Sequence, residues 1–290
     1  MTLAKQLSGW APAPVSRRER FTAQPADAMA ALLDQPSPAR EDGDPLPAGW
    51  HRLYLLDWPQ QHELGPDGHP AAGGFLPPVP ERRRMYAGGR LEITAPLRVG
   101  DVVTRTSRLE RVEVKRGSTG ELAFVTIRDE FTVDGATAII DEQDLVYRSG
   151  APSPAGQAPQ QAAGSPETPE PAAAEWEFSV TPDPVLLFRF SALTANAHRI
   201  HYDERYATTV EGFAGLLVHG PLLALLLLEL PRRHAPGSRV ARFGYRARRP
   251  VIAGQPVVAS GDRGDTPGSW NLTVRAGAGA AAMTGHAVLA

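Results

Sequence analysis

Cysteine is absent from the 290-residue chain. Without a thiol, the protein has no disulfide, no thiolate-bound zinc or iron–sulfur cluster, and no cysteine nucleophile. This absence fits a reducing compartment, and we predict a cytoplasmic protein. Lysine is nearly absent as well, since only Lys5 and Lys115 occur and arginine supplies the rest of the 30 basic residues.

An excess of charge of one sign and a long apolar run are also missing. The 30 basic and 32 acidic residues leave a net charge of −2, which is not the basic footprint of a nucleic-acid-binding protein. The most apolar run, residues 222–228, is far shorter than the roughly 20 residues of a membrane-spanning helix. The N-terminal residues show no apolar core of a signal peptide. We expect no nucleic-acid partner and no membrane partner.

Sequence signatures of several enzyme classes are missing too. The chain contains no phosphate-binding G-x-x-x-x-G-K-[ST] loop and no G-x-G-x-x-G turn after a strand. It also lacks the G-x-S-x-G turn that carries the nucleophile of α/β-hydrolases. Nucleotide hydrolysis, Rossmann-type redox chemistry and serine hydrolysis are therefore poorly supported.

What is present is enough apolar material for a core, interrupted by one segment that cannot form one. Hydrophobic residues make up 42% of the chain. Residues 149–175 consist almost entirely of Ala, Gly, Pro, Ser, Gln and Glu, a composition typical of an extended linker. We predict an N-terminal domain over residues 1–148, a linker over 149–175 and a C-terminal domain over 176–290.

The C-terminal part combines one apolar helix with several strands. The helix over residues 221–230 is apolar on every side and is therefore expected to be buried on all faces. A short helix over 203–209 would take Asp203 as its N-cap. Alternating patterns bounded by Gly, Pro and Asp predict strands at 177–180, 238–249, 255–261, 269–276 and 281–289.

The N-terminal part shows the same strand pattern with a weaker helix signal. Strands are predicted at 90–95, 101–114, 121–133 and 136–148, a short helix at 26–34, and irregular structure over 36–80. The sequence PLRVGDVV at 96–103 resembles PVIAGQPV at 250–257, and Gly100 and Gly254 would supply the turns. This weak repeat predicts two copies of one α+β unit.

The first chemically rich segment is TANAHRIHYD, residues 194–203. His198 and His201 are three residues apart, a spacing compatible with a metal on a helix, but no further ligand lies at a recognised spacing. We therefore predict no metal site. The alternative is that these polar residues are surface and capping residues, against which their density between apolar flanks argues.

Two further features are candidates for ligand binding. In GLLVHGP, residues 215–221, Gly220 opens the buried helix, where backbone N–H groups and the helix dipole stabilise negative charge on a carbonyl oxygen. Tight packing is the alternative explanation of this glycine. Arg82, Arg83 and Arg84 precede Tyr86, an arrangement that suits phosphates and an adenine ring or, alternatively, a solvated face.

Together these segments resemble a known family. The sequences FSALTANAHRIHYD (190–203) and GLLVHGP (215–221), with FLPPVP (75–80), MYAGG (85–89) and EQDLVY (142–147), are similar to the MaoC-like hydratases. The resemblance is greatest to the branch of 3-hydroxyacyl-thioester dehydratase type 2 and the mesaconyl-C4-CoA and itaconyl-CoA hydratases. It implies an α+β double hot dog, with an antiparallel sheet wrapped round a helix in each half and the first helix often degraded.

The resemblance also implies which residues act. The family adds water to a 2-enoyl thioester, or removes it, with the pattern Asp-x-Asn-Pro-[Ile/Val/Leu]-His. His201 falls on the catalytic His and Gly220 on the glycine that donates to the thioester oxygen. Asn196 falls on the Asp, His198 on the Asn and Arg199 on the Pro. Because neutral Asn196 cannot be a general base, the role of the family's carboxylate does not transfer.

The expected mechanism leaves that carboxylate to be replaced. His201 would activate water, Asn196 would orient the water or His201, and Asp203 or His198 would replace the missing carboxylate. Asp203 is equally open to being a helix cap only. No metal and no cofactor is implied.

Substrate contacts follow from the same resemblance. We expect Arg199 to hold the free carboxylate of a dicarboxylic acyl group, or alternatively to form a surface ion pair. Tyr202, His219, Arg84 and Tyr86 are the other expected substrate-binding residues.

Three functions therefore stay open. The first is hydration of a short dicarboxylic enoyl-CoA such as mesaconyl-C4-CoA or itaconyl-CoA. The second is dehydration of a 3-hydroxyacyl thioester in fatty-acid metabolism, and the third is a non-catalytic module that binds acyl-CoA. By analogy with hot-dog relatives we expect a homo-oligomer.

Overall fold

A computed structural model describes residues 2–35, 39–79, 83–117, 120–148, 174–277 and 279–290. These residues form two compact units. The first holds the described residues up to 148 together with Arg189–His198, and the second holds 174–188 and 199–290. Nearly all of the predicted linker lies outside the described residues. Arg189–His198, which the sequence assigned to the C-terminal domain, group with the first unit.

The first unit contains five antiparallel strands in the order β1-β3-β4-β5-β2. They are β1 (Val15–Arg20), β2 (Arg83–Ile93), β3 (Val102–Gly117), β4 (Gly120–Val133) and β5 (Ala136–Arg148). Burial alternates along much of β4 and β5, because one face of the sheet packs on the core. The alternating apolar patterns that predicted β3, β4 and β5 therefore marked real strands.

Short helices and irregular chain surround this sheet. They are α1 (Leu3–Gln6), α2 (Ala23–Leu32) and the 3₁₀ helices Trp50–Leu53 and Gln61–Glu63. The predicted helix at 26–34 is present as α2, which packs against the first 3₁₀ helix. Phe21, just before α2, stacks on Tyr54 with ring centroids 4.0 Å apart. The described part of 36–80 is irregular apart from the two 3₁₀ helices, as expected.

The second unit contains the other five strands, in the order β7-β10-β9-β8-β6. They are β6 (Trp176–Val180), β7 (Val240–Ala247), β8 (Val257–Arg263), β9 (Ser269–Ala276) and β10 (Met283–Leu289). Helix α5 (Gly220–His234) packs against all five of them. Every residue from Leu222 to Pro231 is buried, which confirms the prediction from its all-round apolar sequence.

Two remaining helices flank the chemically rich segment. They are α3 (Pro184–Leu193) and α4 (Glu204–Thr209), with a 3₁₀ turn, Arg199–His201, between them. The predicted cap is present, since the side chain of Asp203 accepts a hydrogen bond from the backbone N–H of Tyr206 at 2.9 Å. Helix α3 was missed, because its sequence PVLLFRFSAL shows no clear helical periodicity.

The repeated turn is present in both units. Gly100 has a φ of +92° before β3, and Gly254 has a φ of +87° before β8. Only glycine adopts such angles readily, which confirms the reason for predicting turns there. No helix in the described residues is long and apolar enough to cross a membrane.

Candidate active site

The motif segment begins where α3 ends. Ala195 has a φ of +49°, a left-handed conformation that commonly terminates helices. The next residue, Asn196, donates its backbone N–H to the carbonyl of Ser191 at 2.8 Å. This reversal brings the chain out of α3 into the loop that carries the motif.

Asn196 itself shapes that loop. Its side-chain oxygen accepts the backbone N–H of His198 at 3.0 Å, which is the contact of an Asx turn. The side-chain amide of Asn196 therefore stabilises the turn of this loop in the first unit. Its expected role in orienting water stays a prediction.

His201 is a buried imidazole with a defined tautomer. Its Nδ1 lies 2.8 Å from the backbone carbonyl oxygen of Leu217, and the ring is 7% exposed. Because a carbonyl only accepts hydrogen bonds, Nδ1 carries the proton and the neutral ring has its lone pair at Nε2. A lone pair at a fixed position is what a general base needs.

His219 places this imidazole beside the start of α5. The rings of His201 and His219 stack with centroids 3.6 Å apart and planes 19° apart. His219 is the N-cap of α5, and the helix begins at Gly220 with Pro221 in its first turn. First-turn N–H groups have no partner within the helix and carry the positive end of its dipole. The second unit thus combines a candidate base with donors for a developing oxyanion.

Asp203 and Arg199 are engaged with each other. The Nε and Nη2 atoms of Arg199 lie 3.1 and 2.7 Å from Oδ2 of Asp203, while Oδ1 caps α4. The guanidinium also lies over the ring of Tyr206, 4.2 Å from its centroid. The cap and then Arg199 hold the pKa of Asp203 below its ordinary value. These contacts favour the capping interpretation of Asp203.

His198 belongs to a different cluster, within the first unit. Its ring contacts that of His69, with centroids 4.1 Å apart and planes 43° apart. Nδ1 of His69 lies 3.0 Å from Oδ2 of Asp67, and the backbone N–H of His69 donates to Oδ1 of Asp67 at 3.0 Å. Burial would raise the pKa of Asp67, but the contacts with His69 and the charge of His198 lower it to about 2.

Gly68 brings this pair against the motif loop. Its φ is +91°, and a Cβ built on it would lie 1.8 Å from the carbonyl oxygen of Ala197. Only a glycine allows so close an approach. The segment containing Asp67 and His69 therefore packs directly on the residue between Asn196 and His198.

Sequence reasoning missed Asp67 and His69. They lie in the stretch 36–80, which was described only as irregular. The available signal was a polar D-G-H triplet in a loop rich in Gly and Pro, because loops held by a rigid scaffold often carry function.

The same three side chains are the candidates for metal binding in the described residues. Ligand-type atoms of Asp67, His69 and His198 lie within 4.8 Å of one another. Asp67 and His69 are already joined by a hydrogen bond through Nδ1. This arrangement is typical of a carboxylate that orients an imidazole.

The remaining predicted substrate contacts are scattered over exposed and half-buried positions. Arg84 is exposed on β2, and Tyr86 is half-buried two residues later, where its hydroxyl accepts from Arg52 at 3.3 Å. Tyr202 is 44% exposed. Arg82 lies outside the described residues. The substrate-binding roles of these residues stay predictions.

A second Asp–His pair lies buried in the first unit. Nε2 of His51 is 2.9 Å from Oδ2 of Asp141, and both side chains are 1% exposed. Arg52 binds the same carboxylate with two hydrogen bonds of 2.6 and 2.7 Å. Burial would raise the pKa of Asp141, but Arg52 and His51 outweigh it and hold that pKa well below its ordinary value.

Comparisons with known proteins identify the family of the chain. Residues 49–253 match the family described as hydroxyacyl-thioester dehydratase type 2. The chain is 45% identical over 228 residues to the mesaconyl-C(4)-CoA hydratase of Chloroflexus aurantiacus, covering 78% of each chain.

Solved structures share the fold at low identity. A MaoC-like dehydratase from Phytophthora capsici superposes with a TM-score of 0.67 at 12% identity, covering 100% of this chain and 98% of that one. HtdX from Mycobacterium tuberculosis superposes with a TM-score of 0.64 at 18% identity, covering 96% and 99%. The predicted α+β hot-dog fold is thereby confirmed. The chain belongs to the hydroxyacyl-thioester dehydratase type 2 family.

Proposed function

We propose that this protein adds water to the double bond of a short dicarboxylic enoyl-CoA thioester, or catalyses the reverse dehydration. The observation that carries the proposal is the 45% identity to a mesaconyl-C(4)-CoA hydratase over 78% of both chains. Mesaconyl-C4-CoA and itaconyl-CoA are therefore the substrates of first choice, with a citramalyl-CoA as product.

His201 is the proposed general base of this reaction. Its Nδ1–H donates a hydrogen bond to the backbone carbonyl of Leu217, so Nε2 is the atom that accepts a proton from water. In mesaconyl-C4-CoA, whose double bond is conjugated with the thioester, the water oxygen bonds to the β-carbon, and the π electrons move through the α-carbon onto the thioester oxygen. The resulting enolate takes up a proton at the α-carbon as its electron pair returns, so that one water molecule is added in total.

The start of α5 is the proposed oxyanion site. The negative charge that develops on the thioester oxygen is stabilised by the Gly220 N–H and by the helix dipole. Stacking on His219, the N-cap, keeps His201 beside these donors. Base and oxyanion donors thus come from one unit and are fixed before substrate binds.

Arg199 remains the proposed partner of the substrate's free carboxylate. Its Nε and Nη2 atoms donate to Asp203, and a guanidinium can bind a carboxylate with two parallel hydrogen bonds. The side chain is 38% exposed. If Arg199→Leu weakened monoacid and diacid substrates equally, Arg199 would not be the carboxylate contact.

A second candidate keeps the chemistry and changes the substrate. The matched family is described as hydroxyacyl-thioester dehydratase type 2, which favours a 3-hydroxyacyl thioester without a second carboxylate. Crotonyl-CoA is the simplest enoyl probe for that activity.

The first experiment is a hydration assay with three substrates. Purified protein is mixed with mesaconyl-C4-CoA, itaconyl-CoA or crotonyl-CoA. The loss of enoyl-thioester absorbance is followed for the two conjugated substrates, and the products of all three are identified and quantified by mass. We expect kcat/KM for one of the C5 diacid thioesters to exceed that for crotonyl-CoA. The opposite order would favour the second candidate, and binding without turnover would favour a non-catalytic module.

The residue assignment is tested with His201→Ala. Loss of a general base typically lowers kcat by about 10²- to 10⁴-fold. The matched control is His286→Ala, which removes an exposed imidazole on β10 of the same unit. Wild-type turnover of the His201→Ala variant would refute the assignment.

A further inference from the structure

The motif suggests two positions for a catalytic carboxylate, Asn196 and Asp203. Neither side chain is well suited to act as a base. Asn196 is a neutral amide whose oxygen accepts the N–H of His198. Asp203 uses one oxygen to cap α4 and the other to bind Arg199. A carboxylate that supports acid–base chemistry would therefore come from another part of the chain.

The Asp67–His69 pair has the geometry of a carboxylate-supported imidazole. The carboxylate of Asp67 is ionised at neutral pH, as an ordinary aspartate is, so it accepts a hydrogen bond from Nδ1–H of His69 across 3.0 Å. Its other oxygen is fixed by the backbone N–H of His69. Because Nδ1 is protonated in this arrangement, the neutral ring has its lone pair at Nε2.

The folded chain also places this pair against the motif loop. The glycine between its two members packs on the carbonyl of Ala197, and His69 contacts the ring of His198. Ala197 and His198 immediately follow Asn196, the position where the family has its Asp. A loop from residues 67–69 thus brings a carboxylate–imidazole pair to the segment that lacks one.

Exposure makes the pair available to a ligand. The side chain of His69 is 20% exposed and that of Asp67 is 34% exposed. The titratable groups that face Asp67 are the imidazoles of His69 and His198. The negative charge of Asp67 therefore acts mainly on His69, with which it forms two hydrogen bonds.

We propose that His69 is a catalytic acid–base residue of this protein and that Asp67 is its positioning residue, together replacing the carboxylate missing at Asn196. The inference rests on the proposed hydration. That reaction removes one proton from water and places one on the α-carbon. Because His201 takes the proton from water, His69 Nε2 gives the proton to the α-carbon during hydration and removes it during dehydration. Asp67 keeps Nδ1 protonated and stabilises the imidazolium form of His69.

The test combines four variants with full kinetics on the best substrate of the hydration assay. They are His69→Gln, Asp67→Asn, Asp67→Glu and, as a matched control, His62→Gln, which changes an exposed histidine of the same loop region. We expect His69→Gln to lower kcat by about 100-fold and Asp67→Asn by about tenfold or more. KM should change much less, and Asp67→Glu should recover part of the activity lost in Asp67→Asn.

A readout specific to proton transfer separates catalysis from structural support. In His69→Ala, added imidazole should restore part of kcat, whereas it should not affect His62→Gln. Unchanged kcat in His69→Gln would overturn the proposal, as would losses that merely follow a lower melting temperature. Activity lost on treatment with a chelator and restored by zinc would also overturn it, because the three side chains would then hold a metal.

The same assay distinguishes this inference from the proposed function. Wild-type turnover with unaffected Asp67 and His69 variants would refute the inference alone. Absence of turnover of every enoyl-CoA by the wild type would refute both.

Discussion

Two Asp–His pairs in the first unit make a direct comparison. His51 and Asp141 are each 1% exposed, and Arg52 forms an ion pair with the same carboxylate. Asp67 and His69 are 34% and 20% exposed, and the neighbouring titratable group is His198. Both carboxylates have lowered pKa values, and in both pairs a ring nitrogen contacts the carboxylate.

The difference shows that environment, rather than residue type, decides what such a pair can do. Arg52 takes both oxygens of Asp141 in a bidentate contact, so the buried pair is committed to holding the sheet and the 3₁₀ helix together. The loop pair retains an imidazole that a ligand can approach. A lowered carboxylate pKa therefore accompanies a structural role at Asp141 and a proposed catalytic role at Asp67.

The largest effect on stability is expected from Asp141→Asn. It leaves the partly buried Arg52 without its anion, and breaking a buried ion pair typically costs about 3–5 kcal/mol of unfolding free energy. Asp67→Asn, at a half-exposed site, should cost less than about 1 kcal/mol. Urea unfolding measures both values, and equal losses would show that the two pairs have the same role.

A smaller effect is expected from Gly68→Ala, which disturbs the loop pair without removing its charge. The new Cβ would meet the carbonyl oxygen of Ala197, and the φ of +91° is itself unfavourable for alanine. We expect a loss of about 2 kcal/mol or more, together with a lower kcat.

The control for this substitution is Gly73→Ala. Gly73 has a φ of +90° with no atom within 4 Å of its added Cβ, so it reports backbone strain alone. If the two alanine variants behaved alike, the contact of Gly68 with the motif loop would be unimportant.

The third prediction concerns the stability effect of Asp129, which lies on the strand paired with that of Asp141. Asp129 on β4 lies opposite Asp141 on β5, and burial, helped by the charge of Asp141, raises the pKa of Asp129. Its ionised form therefore opposes folding above its unfolded pKa of about 4. Asp129→Asn should raise the unfolding free energy by about 1 kcal/mol at pH 7, and the gain should shrink as the pH falls towards 4. A loss at pH 7 would contradict this reasoning.

The smallest effect is the acid sensitivity contributed by the loop pair. Because the pKa of folded Asp67 is lowered to about 2, its stabilisation is present above the unfolded pKa of about 4 and is lost as the pH falls towards 2. The difference between the wild type and Asp67→Asn should be below about 1 kcal/mol at pH 5 and should vanish near pH 2. A difference that grew on acidification would have the wrong sign.

Much of the fold could be read from periodicity. The strand predicted at 269–276 coincides with β9, and the one at 136–148 coincides with β5. Helix α5 was placed correctly because its apolar residues leave no polar face, although it continues to His234 rather than ending at 230. Local patterns suffice where burial repeats at the period of the element.

Elements stabilised by their surroundings escaped prediction. The strand β1, with the sequence VSRRER, is exposed along its whole length and is held by pairing with β3. The strand β2 begins at Arg83 rather than at 90, because it pairs with β5 from Arg148 onwards. An edge strand without alternating apolar residues carries little sequence signal.

Local pattern and a contiguous motif were enough to identify the family, the α+β class, the buried helix and the candidate residues His201 and Gly220. The folded chain was needed to show which groups meet: Nδ1 of His201 with the carbonyl of Leu217, and the Asp67–His69 pair with the loop after Asn196. Residues 68 and 197 are brought together by the folding of the chain between them, and no local sequence pattern predicts such a contact. The same folding buried Asp141 beside Arg52 and left Asp67 half-exposed, which is the physical basis for the structural role of the first and the catalytic role proposed for the second.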